Sequence, residues 1–252
     1  MNNAGVKIKR ISPLVFCFLA GIFVFSCGLE EVIVVSDPTT TYNDPLYSSS
    51  DPLTWYFSFK TVKDSGDSFL GTDVYYKIYN NYNDLNSQRA AILAVNSSSN
   101  GSASARQMIE AYSYQPLGKA AGSDVVFYPS SSGERVVIRL KTYQNGSTDP
   151  DSAWYSFNAG VGTLTSNNDS PRRTNGKTFD FFNYNDTDDP LQLNVEPSSG
   201  DTDYCYSESG FSESNCYYVQ MFAVGVATDP NTVARSYSLV LNLGSVPIRK
   251  GE

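Results

Sequence analysis

Residues 217–227 read Tyr-Tyr-Val-Gln-Met-Phe-Ala-Val-Gly-Val-Ala. Apart from Gln220 and Gly225, every side chain is aliphatic, aromatic or Met. A strand with one wet face alternates apolar and polar residues; a run apolar on both faces is that of a central strand. The neighbouring runs support a sheet around it. Trp55, Phe57 and Phe59 alternate with Tyr56, Ser58 and Lys60, and Val74, Tyr76 and Ile78 with Tyr75, Lys77 and Tyr79. Val136, Ile138 and Leu140 alternate with Arg135, Val137, Arg139 and Lys141, and Tyr237, Leu239, Leu241 and Leu243 repeat the pattern. Period-two runs rich in aromatic and β-branched residues predict strands with one buried face.

Shorter strands are expected at 32–35, 124–128, 153–157, 179–184 and 191–195. Two stretches read as helices instead: 85–95 behind Asp84 as cap, and 105–112 behind Ser104. The Asp-Pro pairs at 37–38, 44–45 and 51–52 mark turns, and polar clusters at 96–104, 144–152, 165–176 and 197–215 read as surface loops. No internal repeat is found. The expectation is a mostly β chain, an antiparallel β-sandwich with helical and loop insertions.

Residues 70–79 (Leu-Gly-Thr-Asp-Val-Tyr-Tyr-Lys-Ile-Tyr) look like the third strand of the fibronectin type III or immunoglobulin-like family. Residues 218–225 look like its penultimate strand and 236–246 like its last, with Tyr217 or Tyr218 as the corner tyrosine. The resemblance covers about a third of the chain. A simple module of that family has about 100 residues, so it implies a single domain over 31–248 with insertions near 83–120 and 144–216.

The N-terminus carries a different kind of information. Lys7, Lys9 and Arg10 precede an unbroken apolar run over 14–25, and Ser26-Cys27-Gly28 follows at once. This is the layout of a secretory signal, and its apolar run is too short for a spanning helix, which needs roughly 20 residues. Val24-Phe25-Ser26-Cys27 resembles the lipobox of bacterial lipoproteins, of the relaxed kind found in spirochaete-like ones; Phe25 departs from the small residue usual there. The resemblance implies a signal peptide over 1–26, lipid attachment at Cys27 (a substrate for palmitate) and a short tether over 27–30. Two or more acyl chains anchor stably where one does not, because each buried methylene contributes about 0.8 kcal/mol. The expected location is the cell envelope, with the domain in the periplasm or on the cell surface. Gly28, in place of the Asp that some species use for inner-membrane retention, favours the outer membrane.

The whole chain has a formal net charge of −8, and removing 1–26 makes it more acidic. That argues against nucleic acid as a partner, which requires a basic face. The partners expected are the membrane, through the lipid, and a protein or glycan ligand. There is no histidine, which excludes Ser–His and Cys–His catalysis and His-based metal sites. Cys205 and Cys216, in an exported chain, read as a disulfide closing a polar loop.

Three weaker constellations complete the list. Asp186, Asp188 and Asp189 supply hard oxygen ligands of the kind calcium takes, without EF-hand spacing, and a solvated turn accounts for them better. Trp154 and Tyr155, near Asp149 and Asp151, offer a stacking surface for a sugar, although aromatics also build sandwich cores. A glycoside hydrolase needs two carboxylates across a cleft, and no spacing singles out a pair. The expected function is a non-catalytic binding or structural module without cofactor, ahead of a carbohydrate-binding lipoprotein and a carboxylate-dependent hydrolase.

Overall fold

The run read as central is central. The structure, a computed structural model, describes residues 35–39, 56–62, 68–97, 101–119, 135–138, 140, 155–157, 171–179, 181, 196–209, 216–229 and 232–249. In chain order the elements are β1 (Phe57–Lys60), β2 (Phe69–Tyr79), α1 (Tyr82–Ala94) and α2 (Gly101–Arg106), which continues as a π-turn over Gln107–Ala111. Then come β3 (Gln115–Pro116), β4 (Gly118–Lys119), β5 (Arg135–Ile138), β6 (Tyr155–Phe157) and β7 (Pro171–Arg172). The last are β8 (Tyr204–Cys205), β9 (Cys216–Thr228), β10 (Arg235–Tyr237) and β11 (Leu241–Arg249).

β9 is buried along its whole length up to Ala227. On one side it pairs with β2, from Phe69↔Ala227 to Tyr79↔Tyr218. On its other edge it pairs with β11 over residues 216–223 and with β10 over 226–228. The outer edge of β2 is shared by β3, antiparallel at Tyr75 and Tyr76, and β8, parallel at Ile78 and Tyr79. The result is a mostly β fold whose main sheet is open and, β8 apart, antiparallel. A three-stranded antiparallel sheet, β1-β5-β6, and the two-stranded β4-β7 accompany it.

The two faces of the main sheet are covered differently. Val74, Tyr76 and Ile78 of β2 with Tyr217, Val219, Met221 and Ala223 of β9 share a core with Phe57 and Phe59 of β1 and Val136 and Ile138 of β5. The opposite face, Tyr75, Tyr79, Tyr218, Phe222, Val224 and Val226, packs against Leu85 and Ile92 of α1 and Ala105 and Met108 beyond it. Leu85 and Ile92 are seven residues apart, two helical turns, so they project from one stripe. β2, expected to bury one face, therefore buries both: the helices that follow it in the chain fold back over the second.

Local chemistry moved several boundaries. Asn81, not Asp84, caps α1: its backbone is still extended (φ −126°, ψ 121°), so its side chain accepts from the amides of Asn83 and Asp84. Ser104 is not a cap but lies inside α2, fully buried, and donates to Asn96 Oδ1 at 2.7 Å. The run expected as one strand over 236–246 breaks into β10 and β11. At the break the amides turn to side chains: Leu239 N donates to Asp37 Oδ1 and Val240 N to Asn96 Oδ1. A bulge at Asn242/Gly244 follows, with Gly244 at φ 84°.

The loops expected at 165–176 and 197–215 contain the short strands β7 and β8. Val35 is buried without strand pairing, and Phe179 and Phe181 are core residues outside any strand. The strands expected at 124–128 and 191–195 lie outside the described residues.

Candidate functional site

Of the residues singled out by sequence, Cys27, Trp154, Asp186, Asp188 and Asp189 lie outside the described residues. Tyr155 begins β6, opposite Ile138. Cys205 and Cys216 are not joined to each other. Their registers explain why. Cys205 aligns with Tyr79 on one side of β2, and Tyr79 with Tyr218 on the other, two residues beyond Cys216. β2 thus runs between the two cysteines. Two strand spacings of about 4.8 Å each already exceed the roughly 7 Å over which Cα atoms can be bridged. The disulfide expected between Cys205 and Cys216 is not made in this fold.

What the fold does assemble is buried and polar. Arg173, whose side chain is fully buried, sits in a turn closed by Gly176 at φ 80°. Its Nε donates to Asp203 Oδ2 at 2.8 Å, and its Nη2 donates to Asp203 Oδ1 and Asp201 Oδ2, each at 2.6 Å. The Tyr76 hydroxyl donates to Asp203 Oδ2 at 2.6 Å and accepts from Thr174 N at 2.8 Å. Burial alone would lower the Arg173 pKa, but the hydrogen bonds and charges of Asp203 and Asp201 outweigh it and hold the guanidinium ionised. Burial works against ionisation of Asp201 as well; the hydrogen bonds from Arg173 and Ser198 N prevail and keep its carboxyl below the usual range. Both carboxylates are thus committed to one cation. The cluster clamps the 173–177 turn and the 201–203 turn to β2.

A second cluster lies under α1. Lys77 Nζ donates to the Tyr112 carbonyl and, at 3.4 Å, to Gln88 Oε1, and stands 5.8 Å from the Tyr79 ring centroid. The Tyr79 hydroxyl lies 2.8 Å from Gln88 Oε1 and 3.0 Å from the Tyr114 hydroxyl, and Gln88 Nε2 donates to Cys205 Sγ at 3.6 Å. Burial lowers the Lys77 pKa, against the influence of Cys205, and burial raises those of Tyr79 and Tyr114.

On the same face four residues earlier, Asp73 is 3% exposed, and its Oδ1 has no hydrogen-bond partner. Burial pushes its carboxyl up to about 6, with Arg235 pulling the other way. Gln220 shares the condition: Nε2 donates to Met221 O and Asn242 Oδ1, while Oε1 is unpartnered. Among the described residues, no group of three His, Cys, Asp or Glu is placed to hold a metal ion.

Sequence reasoning missed all of these. Arg173, Asp201 and Asp203 come from turns far apart in the chain, and nothing in their local spacing pairs them. Asp73 and Lys77 did leave a signal: they share a strand face with Tyr75 and Tyr79, aromatic enough to be covered.

No family model matches the chain, and no curated protein or solved structure matches it.

Proposed function

We propose that this chain is a lipid-anchored cell-envelope lipoprotein whose β domain is a non-catalytic binding or structural module. One observation carries the reading: Lys7, Lys9 and Arg10, a short apolar run over 14–25 and Val24-Phe25-Ser26-Cys27 stand in the order that export and lipidation require. The non-catalytic part is supported by the commitment of Asp201 and Asp203 to Arg173 and of Lys77 to Gln88 and Tyr112, which turns these charges inward. The outer membrane is the preferred destination, on Gly28. Labelled palmitate is expected in the wild-type chain and not in Cys27→Ser; equal incorporation into both would end the proposal.

The finer fold reading, a fibronectin type III or immunoglobulin-like sandwich, is proposed with it. Support comes from the neighbour order β2-β9-β11, the order in that family of the third, penultimate and last strands, and from the core that β1 and β5 share with one face of the main sheet. The helical layer over the other face and the parallel β8 depart from the simple module. An experimental structure tests it: β1-β5-β6 stacked on β2-β9 as the second layer of a sandwich is expected, and a main sheet without such a layer would reject it.

A further inference from the structure

Where the chain enters the fold limits how an anchored domain can stand. Val35 and Ser36 cross β9 at Gly225, where a Cβ would come within 2.5 Å of the Ser36 carbonyl oxygen and 3.1 Å of Val35 Cγ1. The segment is fastened beyond that point: Asp37 accepts from Leu239 N, and Thr39 exchanges two backbone hydrogen bonds with Lys60. The entry point is thus part of the fold rather than of a tether. From Cys27 to Val35 there are eight residues, spanning at most about 28 Å fully extended. From Gly225 back to Cys216, at the opposite end of the sheet, β9 itself covers about 30 Å at roughly 3.3 Å per residue. A domain standing with its Cys216 end toward the membrane would hold the entry point about 30 Å above it, the full stretch of the chain from Cys27. The Thr228 end lies three residues beyond Gly225, about 10 Å away, well within reach.

That reachable end also carries Val233, the most exposed large hydrophobic side chain among the described residues. Val233, in the turn between β9 and β10, is 76% exposed and sits at φ 58°, a conformation that a residue with a branched Cβ rarely adopts. Hydrogen bonds hold it there: Val233 N donates to Asp229 O and Thr232 N to Asp229 Oδ1. Leu70, 37% exposed, lies nearby across β9, at the bulge opposite Ala227 and Val226. Leu93, equally exposed, is near the end of α1 that Asn96 ties to Val240, in the same half of the sheet. At the opposite end Ser207, Ser209, Asn80 and Asn81 are hydrogen-bonded together, and among the described large aromatic residues there Tyr206 is strongly exposed.

We propose that the sheet end bearing Val233 and Leu70 rests on the bilayer surface that holds the lipid anchor, so that the Cys216 end, with the 206–209 turn, points away from the membrane. The proposal rests on the lipoprotein reading and adds an orientation to it. Val233, held by its hydrogen bond to Asp229, and Leu70 across β9 would be buried shallowly at the headgroup boundary. The lipid supplies the affinity and the tip supplies the pose.

Hydrogen exchange on the full lipidated chain bound to phosphatidylethanolamine/phosphatidylglycerol vesicles, compared with Cys27→Ser in solution, tests it. Amides at 232–235 and 69–71 are expected to slow at least threefold on vesicles, with 206–209 unchanged. Val233→Gly, which accepts the same backbone, should float with vesicles as the wild type does yet lose much of the slowing at 232–235. Floating wild-type chain with no slowing at the tip, or with slowing at 206–209 instead, overturns the orientation alone. Failure of the wild type to float overturns the anchor reading and this proposal together.

Discussion

The two faces of the β2-β9 pair have the same strands and opposite habits. On the face shared with β1 and β5, the buried Tyr76 hydroxyl is engaged both ways, donating to Asp203 and accepting from Thr174 N. On the helix-covered face, Asp73 and Gln220 each bury an oxygen with no partner, and Lys77 is desolvated above the sheet. A buried polar group that is fully bonded adds specificity at little cost, whereas an unbonded one costs about 1–3 kcal/mol, more if charged. The first face is built to hold; the second carries a standing electrostatic burden that the aromatic packing of Tyr75, Tyr79, Tyr114 and Phe222 must offset.

The comparison breaks most visibly at Asp203. Asp203→Ala takes from buried Arg173 the carboxylate that accepts from its Nε and Nη2, and removes the acceptor of Tyr76. Removing one partner of a buried pair typically costs about 3–5 kcal/mol, so the urea midpoint should fall sharply. Loss of less than about 1 kcal/mol would mean that Arg173 reaches water in solution and that the clamp is not one.

Asp73→Asn tests the other face and should move stability the opposite way. The Asp73 carboxyl titrates at about 6 in the folded chain, raised by burial from 3.8. The folded state therefore holds its proton to higher pH than the unfolded state does. The contribution of this group to stability is greatest below about pH 4, falls as pH rises from 4 to 6, and stays at the lower level above that. Two pKa units correspond to about 3 kcal/mol. Asp73→Asn should thus stabilise by about 2–3 kcal/mol at pH 8, much less at pH 4, and flatten the slope between. An unchanged slope would place the burden elsewhere.

How much of this was legible follows the same division. The central strand announced itself because both of its faces are apolar over 217–227. The alternation in β1, β2 and β5 was equally plain, since a period of two is a local property. The helical insert was legible in the Ala-rich run around 89–94, with its start displaced from Asp84 to Asn81 because an extended Asn can reach two amides at once. What was not legible depends on contacts between distant residues. That β2 buries its second face is decided by where α1 folds back. That Arg173 meets Asp201 and Asp203 is decided by two turns docking on β2. The split between β10 and β11 is set by Asp37 and Asn96 taking the amides of Leu239 and Val240, and neither is near them in the chain.

The smallest effect concerns the two cysteines, both on the helix-covered side. A bridge closing a loop of about a dozen residues would constrain the unfolded chain and stabilise by roughly 3 kcal/mol in the chain-entropy model. The register stands against it: Tyr79 lies between Cys205 and Tyr218, and Cys216 is two residues further along β9. Joining them would require β8 to leave the outer edge of β2, breaking the parallel pairing at Ile78 and Tyr79 and separating Cys205 from Gln88 Nε2. It would also disturb the hydrogen bond from Ile78 N to the Asp203 carbonyl, and with it the seat of the Arg173 clamp. Reductant should therefore shift the urea midpoint by less than about 0.5 kcal/mol, and thiol titration of the unfolded, unreduced Cys27→Ser chain, signal removed, should find both thiols. A shift near 3 kcal/mol with no titratable thiol would show that β8 can leave the sheet, and that the helix-covered face is held less firmly than the face clamped by Arg173.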